Sequence, residues 1–500
     1  MFWLAFAVLW TVTSAWALAS PIASGPDENA HVVKAAAVVR GDLTGTSAPG
    51  AAGAGVVTVP ALYATLGVYP TCFAFQPDVP ADCPSAQLPT GSAAATPTQA
   101  STWVIRNNPL YYAIVGLPTL LPPAPWVLYL MRLLSAAISS LVLAWGFRAL
   151  AELSRRPLVI VGVLTALTPM VVYLNSTVNP SSLEISASLT LMASLLVLLR
   201  DPDPARLPVR AAGIAVVTAF LVNSRGLSPL YVVVLVALAA VGVGPWREFT
   251  KALLDRRTWP WLAVILASTA AALMWTLRAG TLGAGGAEHP EYGFLSTANR
   301  TLLDTGDFLT VAIGRFGWMD AELPQLVYLG YAALIGLPLL LAVGLAGRRM
   351  RLAVLAGAAV AVLLPVLLQA WQAHSVGYIW TARYSMPLYV AVGVTAGFAC
   401  RDVFSSLPER LARRLLVLVA TLAPLGLTIA FVANLRRYTV GESGSWRSAL
   451  GGPWAPPLNG GLLLAVHVVA LVVGAVLLVR AEGADEATSA SPMPQAVASA

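Results

Sequence analysis

Two adjacent carboxylates and a histidine follow the first apolar run of this chain, in the segment Pro21-Ile22-Ala23-Ser24-Gly25-Pro26-Asp27-Glu28-Asn29-Ala30-His31. Acidic groups at a membrane boundary are costly to desolvate, so a pair placed there in a chain with long charge-free stretches points to chemistry. Asp27 and His31 are four residues apart and share a helix face. The same residues also read as a helix start, with Ser24 as the N-cap, Pro26 at the entry and Asp27 in the first turn, where a negative charge favours the helix dipole. On this segment alone, cap and chemistry stand level.

The elements that must hold these groups are membrane helices. Hydrophobic residues make up 58% of the 500 residues and charged residues only 11%, less than half the usual share in soluble domains. Apolar runs of about 20 residues, each long enough to span a bilayer, recur along the chain. About twelve are expected, near 2–19, 125–150, 157–175, 182–200, 209–224, 227–245, 259–277, 324–346, 352–370, 385–400, 414–435 and 461–480. The first run ends in Ala17-Leu18-Ala19, which resembles a signal-peptide cleavage site, but it has no basic segment before it; a retained helix is the favoured reading.

The connections fall into two sets. One is short and arginine-rich: Arg155-Arg156, Arg200 to Arg210, Arg247 to Arg257, Arg348 to Arg351 and Arg401 to Arg414. The positive-inside rule makes this set cytoplasmic, accounts for the formal charge of +7, and puts the N-terminus inside and the Asp27 segment outside. Arg436-Arg437 falls on the outer side as an exception. The chain therefore reads as one transmembrane domain over 1–480 with two large outer loops, 20–124 and 278–323, and a disordered cytoplasmic tail over 481–500. The first loop holds a helix from Asp27 to Arg40, a low-complexity stretch from Gly41 to Gly55, a Pro-rich segment, and an interfacial or re-entrant helix before Leu121-Pro122-Pro123. Cys72 and Cys83 lie in that loop, where a disulfide is plausible on the extracytoplasmic side; Cys400, near a helix end, reads as free.

With this topology the unusual polar residues converge on the outer side. Asp27, Glu28, His31, Arg106, Asn107, Asn175, Asn179, Glu184, Arg225, Arg278, the run Arg315 to Asp320, and Arg383-Tyr384 all fall there, while the span middles are apolar. Asn179-Pro180 also reads as a simple turn, and Arg225 and Arg278 equally as interface-snorkelling side chains. His289, His374 and His467 read as loop or packing residues. No zinc, P-loop or serine-hydrolase motif occurs, and no basic patch suits nucleic acid.

Four stretches, in order, resemble a bacterial family of integral membrane proteins, domain-of-unknown-function family 2142: Pro26-Asp27-Glu28-Asn29-Ala30-His31, Asn108-Pro109-Leu110-Tyr111-Tyr112, Gly314-Arg315-Phe316-Gly317-Trp318-Met319-Asp320, and Ala382-Arg383-Tyr384-Ser385-Met386-Pro387. The chain departs from that pattern at Ala382, where the family usually has Gly, and in the insert after Gly41. The family resembles a branch of the GT-C glycosyltransferase superfamily. That resemblance implies an all-α polytopic GT-C-like fold whose first extracytoplasmic loop carries interfacial helices. It implies a polyprenyl-phosphate-linked sugar as donor and a cell-envelope glycan, lipid or protein as acceptor, at the outer face of a bacterial cytoplasmic membrane. Asp27 is then the first choice of general base, with Glu28 second or instead on the acceptor, and His31 either orienting Asp27 or contacting the donor phosphate. Arg383 with Tyr384, then Arg225, Arg278 and Arg315, would hold the donor phosphate. The motif residues Asn108, Tyr111, Tyr112, Trp318 and Asp320 would contact substrate, Tyr112 and Trp318 by stacking on a sugar. A loosely held divalent ion at Glu28 is the one cofactor left open. A transporter or flippase of a lipid-linked glycan would share the groove and the arginines without needing a base, and a non-catalytic assembly scaffold would need neither.

Overall fold

The computed structural model describes residues 1–47, 53–82, 87–153, 156–244, 246–282, 288–403 and 408–489. The chain is helical from end to end, with a small sheet inserted in the first loop. In order, the elements are α1 (Phe2–Leu18), α2 (Glu28–Val38), β1 (Thr46–Ser47), β2 (Gly55–Pro60), α3 (Ala61–Ala64), α4 (Gly91–Ala95), β3 (Pro97–Thr102) and α5 (Pro109–Val115). Then follow α6 (Pro125–Leu150), α7 (Arg156–Ala166), α8 (Pro169–Asn175), α9 (Pro180–Arg200), α10 (Leu207–Val222), α11 (Ser228–Val243), α12 (Trp246–Leu254) and α13 (Trp259–Ala279). The last third holds α14 (Phe294–Leu303), α15 (Thr305–Gly314), β4 (Arg315–Phe316), β5 (Ala321–Glu322), α16 (Gln325–Leu345), α17 (Arg348–Val376), α18 (Ala382–Val403), α19 (Glu409–Val440) and α20 (Gly460–Ser489).

Among the described residues, seven helices are long and apolar enough to cross a membrane. α1, α10 and α11 are shorter apolar helices. With α18 and the pair α7–α8, these occupy the twelve apolar runs seen in the sequence. The protein is therefore an all-α polytopic membrane protein. The pair is one run broken at Thr168-Pro169, where the Thr168 side chain caps α8 because the proline supplies no N–H to continue α7. α9 is the central helix, 94% of its apolar window being buried against α6, α10, α11 and α18. α13 stands at the edge, with 6% buried.

Glycines set one crossing that the sequence displays as small residues at a four-residue spacing. On α18, Gly393 and Gly397 are four apart; on α7, Gly162 and Ala166 are four apart. A Cβ on Gly162 would lie 2.3 Å from the Gly397 Cα, and one on Gly393 3.0 Å from the Ala166 Cβ. Small residues at this spacing let two membrane helices touch backbone to backbone. This crossing fixes α18, whose first turn carries Arg383.

The first loop is more structured than low complexity implies. β1, β2 and β3 form an antiparallel sheet, with Val57 opposite Ala100 and Val59 opposite Thr98. Alternating Val57 and Val59 face inward, the period-2 pattern of a half-buried strand. The interfacial segment is α5 followed by a 3₁₀ turn over Leu117–Leu120, and it leaves Leu117, Leu120 and Leu121 exposed. Cys72 is disulfide-bonded and Cys400 is free; Cys83 and Arg155 lie outside the described residues. At the other end, α20 runs to Ser489, so the expected disordered tail over 481–500 begins as helix; residues 490–500 lie outside the described residues.

Candidate active site at the Asp27 end of the bundle

α1 ends at Leu18, and the chain turns through residues 19–27 before α2. Two features hold that turn. Glu28 is 1% exposed, and its carboxylate accepts from Arg132 Nε at 2.7 Å and Nη2 at 2.5 Å. It also accepts from the backbone N–H of Gly25 at 3.1 Å and of Val178 at 3.0 Å. Arg132, on α6, donates its remaining protons to the carbonyls of Ala17, Ser20 and Pro21. One guanidinium thus binds the end of α1, the turn and the start of α2. Asn179 adds a hydrogen bond from Nδ2 to the Pro26 carbonyl while its Oδ1 caps α9.

This clamp changes the helix start anticipated from sequence. Ser24 does not cap the helix and Asp27 is not in its first turn: α2 begins at Glu28, and Asp27 is the N-cap residue in the left-handed region, φ 57°, with no capping hydrogen bond. Drawing Glu28 down to Arg132 rotates the residue before it away from the helix. The Asp27 carboxylate is thereby free to face the centre of the site, with its side chain 23% exposed against 2% for Glu28.

There Asp27 meets Arg383 from the first turn of α18. The Arg383 Nη2 donates to Asp27 Oδ2 and, at 3.2 Å, to the Tyr384 hydroxyl. Trp103 Nε1 donates to Asp27 Oδ1 at 3.2 Å. Arg225, in the α10–α11 turn, lies over the Tyr384 ring at 4.6 Å and donates to Ser181 Oγ at 3.1 Å. Burial alone would raise the Asp27 carboxyl, but the charge and hydrogen bond of Arg383, with Arg225 behind it, hold it below its ordinary value. His31 is buried one turn along α2. Burial, reinforced by Arg225 and Arg383 against the pull of Asp27, lowers it to about 3, so the ring is neutral. Its Nδ1 is 2.8 Å from the Tyr112 hydroxyl, which accepts from Asn107 Nδ2 at 2.9 Å. In the tautomer in which Tyr112 donates to Nδ1, the neutral ring carries its own proton on Nε2.

The structure thus brings together Asp27, His31, Tyr112, Arg225, Arg383 and Tyr384. It places the other sequence candidates elsewhere. Glu28 is consumed by its clamp. Tyr111 is 1% exposed and bonds Ser135 Oγ at 2.8 Å. Asn108 caps α5 and donates to Asn223 Oδ1 at 2.9 Å. Arg315 pairs with Asp307 and Glu322, and Arg278 is an exposed residue at the end of α13. Trp318 packs on Phe75 and donates to the Ala23 carbonyl at 3.2 Å. Asp320 accepts from Arg437 at 2.7 Å, with both side chains buried. That pair accounts for Arg436-Arg437, the exception to the charge pattern: Arg437 also donates to the carbonyls of Val79 and Phe73, tying the first loop to α19, while Arg436 stacks on Trp446 at 4.1 Å.

Sequence reading missed Arg132 and Trp103. A lone arginine near the end of an apolar span was the available signal for the first; Trp103 had none. Buried side-chain atoms without a partner gather near the site: Arg383 Nε, Glu184 Oε2 and Asn29 Oδ1. Glu184 Oε1 is bonded by Ser228 at 2.6 Å. Among the described residues, no group of three His, Cys, Asp or Glu side chains could hold a metal ion.

Comparison with known proteins gives two matches. A family model described as "Predicted membrane protein (DUF2142)" matches residues 10–392. Among solved structures, the chain is similar to ArnT from Cupriavidus metallidurans bound to undecaprenyl phosphate. The identity is 14% and the TM-score 0.42, over 98% of this chain and 78% of that one. No curated protein matches the sequence.

Proposed function

We propose, on the premise that the chain belongs to the DUF2142 family of predicted membrane proteins, that it is a glycosyltransferase acting at the extracytoplasmic face of the bacterial cytoplasmic membrane, with its N-terminus in the cytoplasm. It moves a sugar from a polyprenyl-phosphate donor to a cell-envelope acceptor. The observation that carries this reading is the site's composition: one reachable carboxylate, Asp27, against two guanidiniums, Arg383 and Arg225, at the loop end of the bundle.

In the reaction, the acceptor O–H breaks, its proton passes to an Asp27 oxygen, the acceptor oxygen bonds to the anomeric carbon, and the bond from that carbon to the phosphate oxygen breaks. The lipid phosphate leaves with the electron pair. Arg383 serves both ends of this exchange. Without donor it neutralises Asp27; a donor phosphate competes for it by fork-like hydrogen bonding. As the guanidinium turns to phosphate, Asp27 loses its counter-charge and gains basicity when a base is needed. Charge growing on the departing phosphate then meets Arg383 and Arg225, and stabilisation of that kind is commonly the largest catalytic term. Neutral His31, fixed by Tyr112 and Asn107, offers its Nε2–H as a donor without adding charge. Glu28 is a positioning residue.

The test is transfer from a panel of radiolabelled polyprenyl-phosphate sugars by the purified protein in native lipids, beside Asp27→Asn and Arg383→Ala. Asp27→Asn should abolish transfer while keeping donor binding, and Arg383→Ala should weaken donor binding. Donor binding without transfer by the wild type, unchanged in Asp27→Asn, would replace this reading with a carrier of lipid-linked glycans.

A further inference from the structure

A cavity lies at the opposite end of α1 from Asp27. It has a volume of about 450 Å³ and sits between α1, α7, α19 and α20. Leu4, Val8 and Val12 line it from one face of α1, at i, i+4 and i+8. Leu427 of α19 and Leu471 and Leu478 of α20 face them. The wall grades from exposed to buried along its depth: Leu4 is 55% exposed, Val12 4% and Leu427 7%. The lining runs from Met1 to Val12, about 16 Å of helix, which is half of the roughly 30 Å hydrocarbon core. It is a blind slot one leaflet deep.

Its polar rim is of one sign. Arg148, at the end of α6, and Arg480, on α20, both line the cavity, and among the described residues no Asp or Glu does. Among the described residues neither arginine pairs with a carboxylate; Arg148 lies over the Trp145 ring at 4.7 Å. The nearby Glu152 is committed to Arg206 and Arg210. A one-leaflet apolar slot with two guanidiniums at its mouth, neither paired with a carboxylate among the described residues, matches a lipid with an anionic headgroup.

We propose that this slot binds one acyl chain of an anionic phospholipid from the leaflet on the arginine-rich side, with the lipid phosphate held by Arg148 and Arg480. The slot and the Asp27 site are at opposite ends of α1, so this lipid is neither donor nor acceptor of the proposed transfer. Its role is to set the packing of α1 against α20, where Gly474 already brings the helices close enough that a Cβ would lie 3.0 Å from Val8.

The test is thermal unfolding of the full chain in detergent with added dioleoyl phosphatidylglycerol or dioleoyl phosphatidylcholine, whose acyl chains are the same. A basic residue near a lipid surface favours an anionic headgroup by about fivefold, so two should give an apparent preference on the order of 20- to 30-fold. Arg148→Gln with Arg480→Gln should remove the preference while the response to lipid in general stays. Arg148→Lys with Arg480→Lys should keep most of it, which separates lost charge from lost folding. Ala475→Phe, which fills the slot, should remove the response to both lipids. Equal responses in the wild type, or a preference untouched by the glutamine pair, would overturn the proposal. So would stabilisation by inorganic phosphate alone, which would make the rim a plain anion site.

Discussion

Replacing Arg132 by lysine should destabilise the protein more than conservation of charge implies. All five guanidinium protons are in use: two on the Glu28 carboxylate and three on the Ala17, Ser20 and Pro21 carbonyls. An ammonium has three donors on a flexible stem, so at least two of these buried acceptors lose their partner. Each unsatisfied buried group costs about 1–3 kcal/mol, so two of them put the loss in the lysine variant at about 2–6 kcal/mol. Arg132→Ala strands the Glu28 charge as well, and breaking a buried pair in this way costs about 3–5 kcal/mol. Combining Arg132→Met with Glu28→Gln removes both charges, so the double variant should be more stable than the sum of its singles requires. The coupling should be about 1–3 kcal/mol. Reversible unfolding in mixed micelles, followed by tryptophan fluorescence, gives the four corners of this cycle. Additive single effects, or a lysine variant as stable as the wild type, would refute the clamp.

Acid should weaken the native state through the same region. His31 is held near 3 and Asp27 below its ordinary value, so the unfolded chain binds more protons than the folded one once pH falls below 6.5 for the histidine and below the ordinary carboxylate range for Asp27. Stability contributed by keeping His31 neutral is present above 6.5 and falls by about 1.4 kcal/mol per pH unit on descent toward 3; midpoints of unfolding at pH 7, 6, 5 and 4 should show that slope, and His31→Gln should flatten it. Lys34, lowered by burial to about 8, acts at the other end: stability should rise between pH 8 and 10, and Lys34→Met should remove the rise. Gly162→Val should separate α7 from α18, costing roughly 1–3 kcal/mol as overpacking and lowering transfer by displacing Arg383, while Gly336→Ala, which meets nothing within 4 Å, should leave both unchanged.

Hydropathy made the helices legible because a membrane demands apolar length, and length is read directly from sequence. The α7–α8 break was visible in Thr168-Pro169 but lay within one apolar run. The members of the candidate cluster were legible one by one: Asp27, His31, Tyr112, Arg225, Arg383 and Tyr384 stand out as polar groups at apolar boundaries. Their division of labour was not. Asp27 and Glu28 are neighbours of the same charge, and only the position of Arg132, 104 residues on, decides which is buried and which faces outward. The Asp27 backbone conformation follows from that contact and has no local signal. The sheet in the first loop was hidden because β2 and β3 are separated by residues 61–96, a pairing that no local pattern announces.

The pairing of Asp27 with a residue 356 positions later also orders the life of a newly made chain. A ribosome exposes Asp27 early and Arg383 only after three quarters of the sequence. Glu28 finds Arg132 once α6 has been threaded, and Val178 once α8 has followed, so the turn is secured long before its functional neighbour exists. A chain interrupted between α9 and α18 would contain both partners of the Glu28 clamp and present Asp27 without its arginine. The contact between Asp27 and Arg383 therefore waits for α18, while the clamp beneath it is already complete.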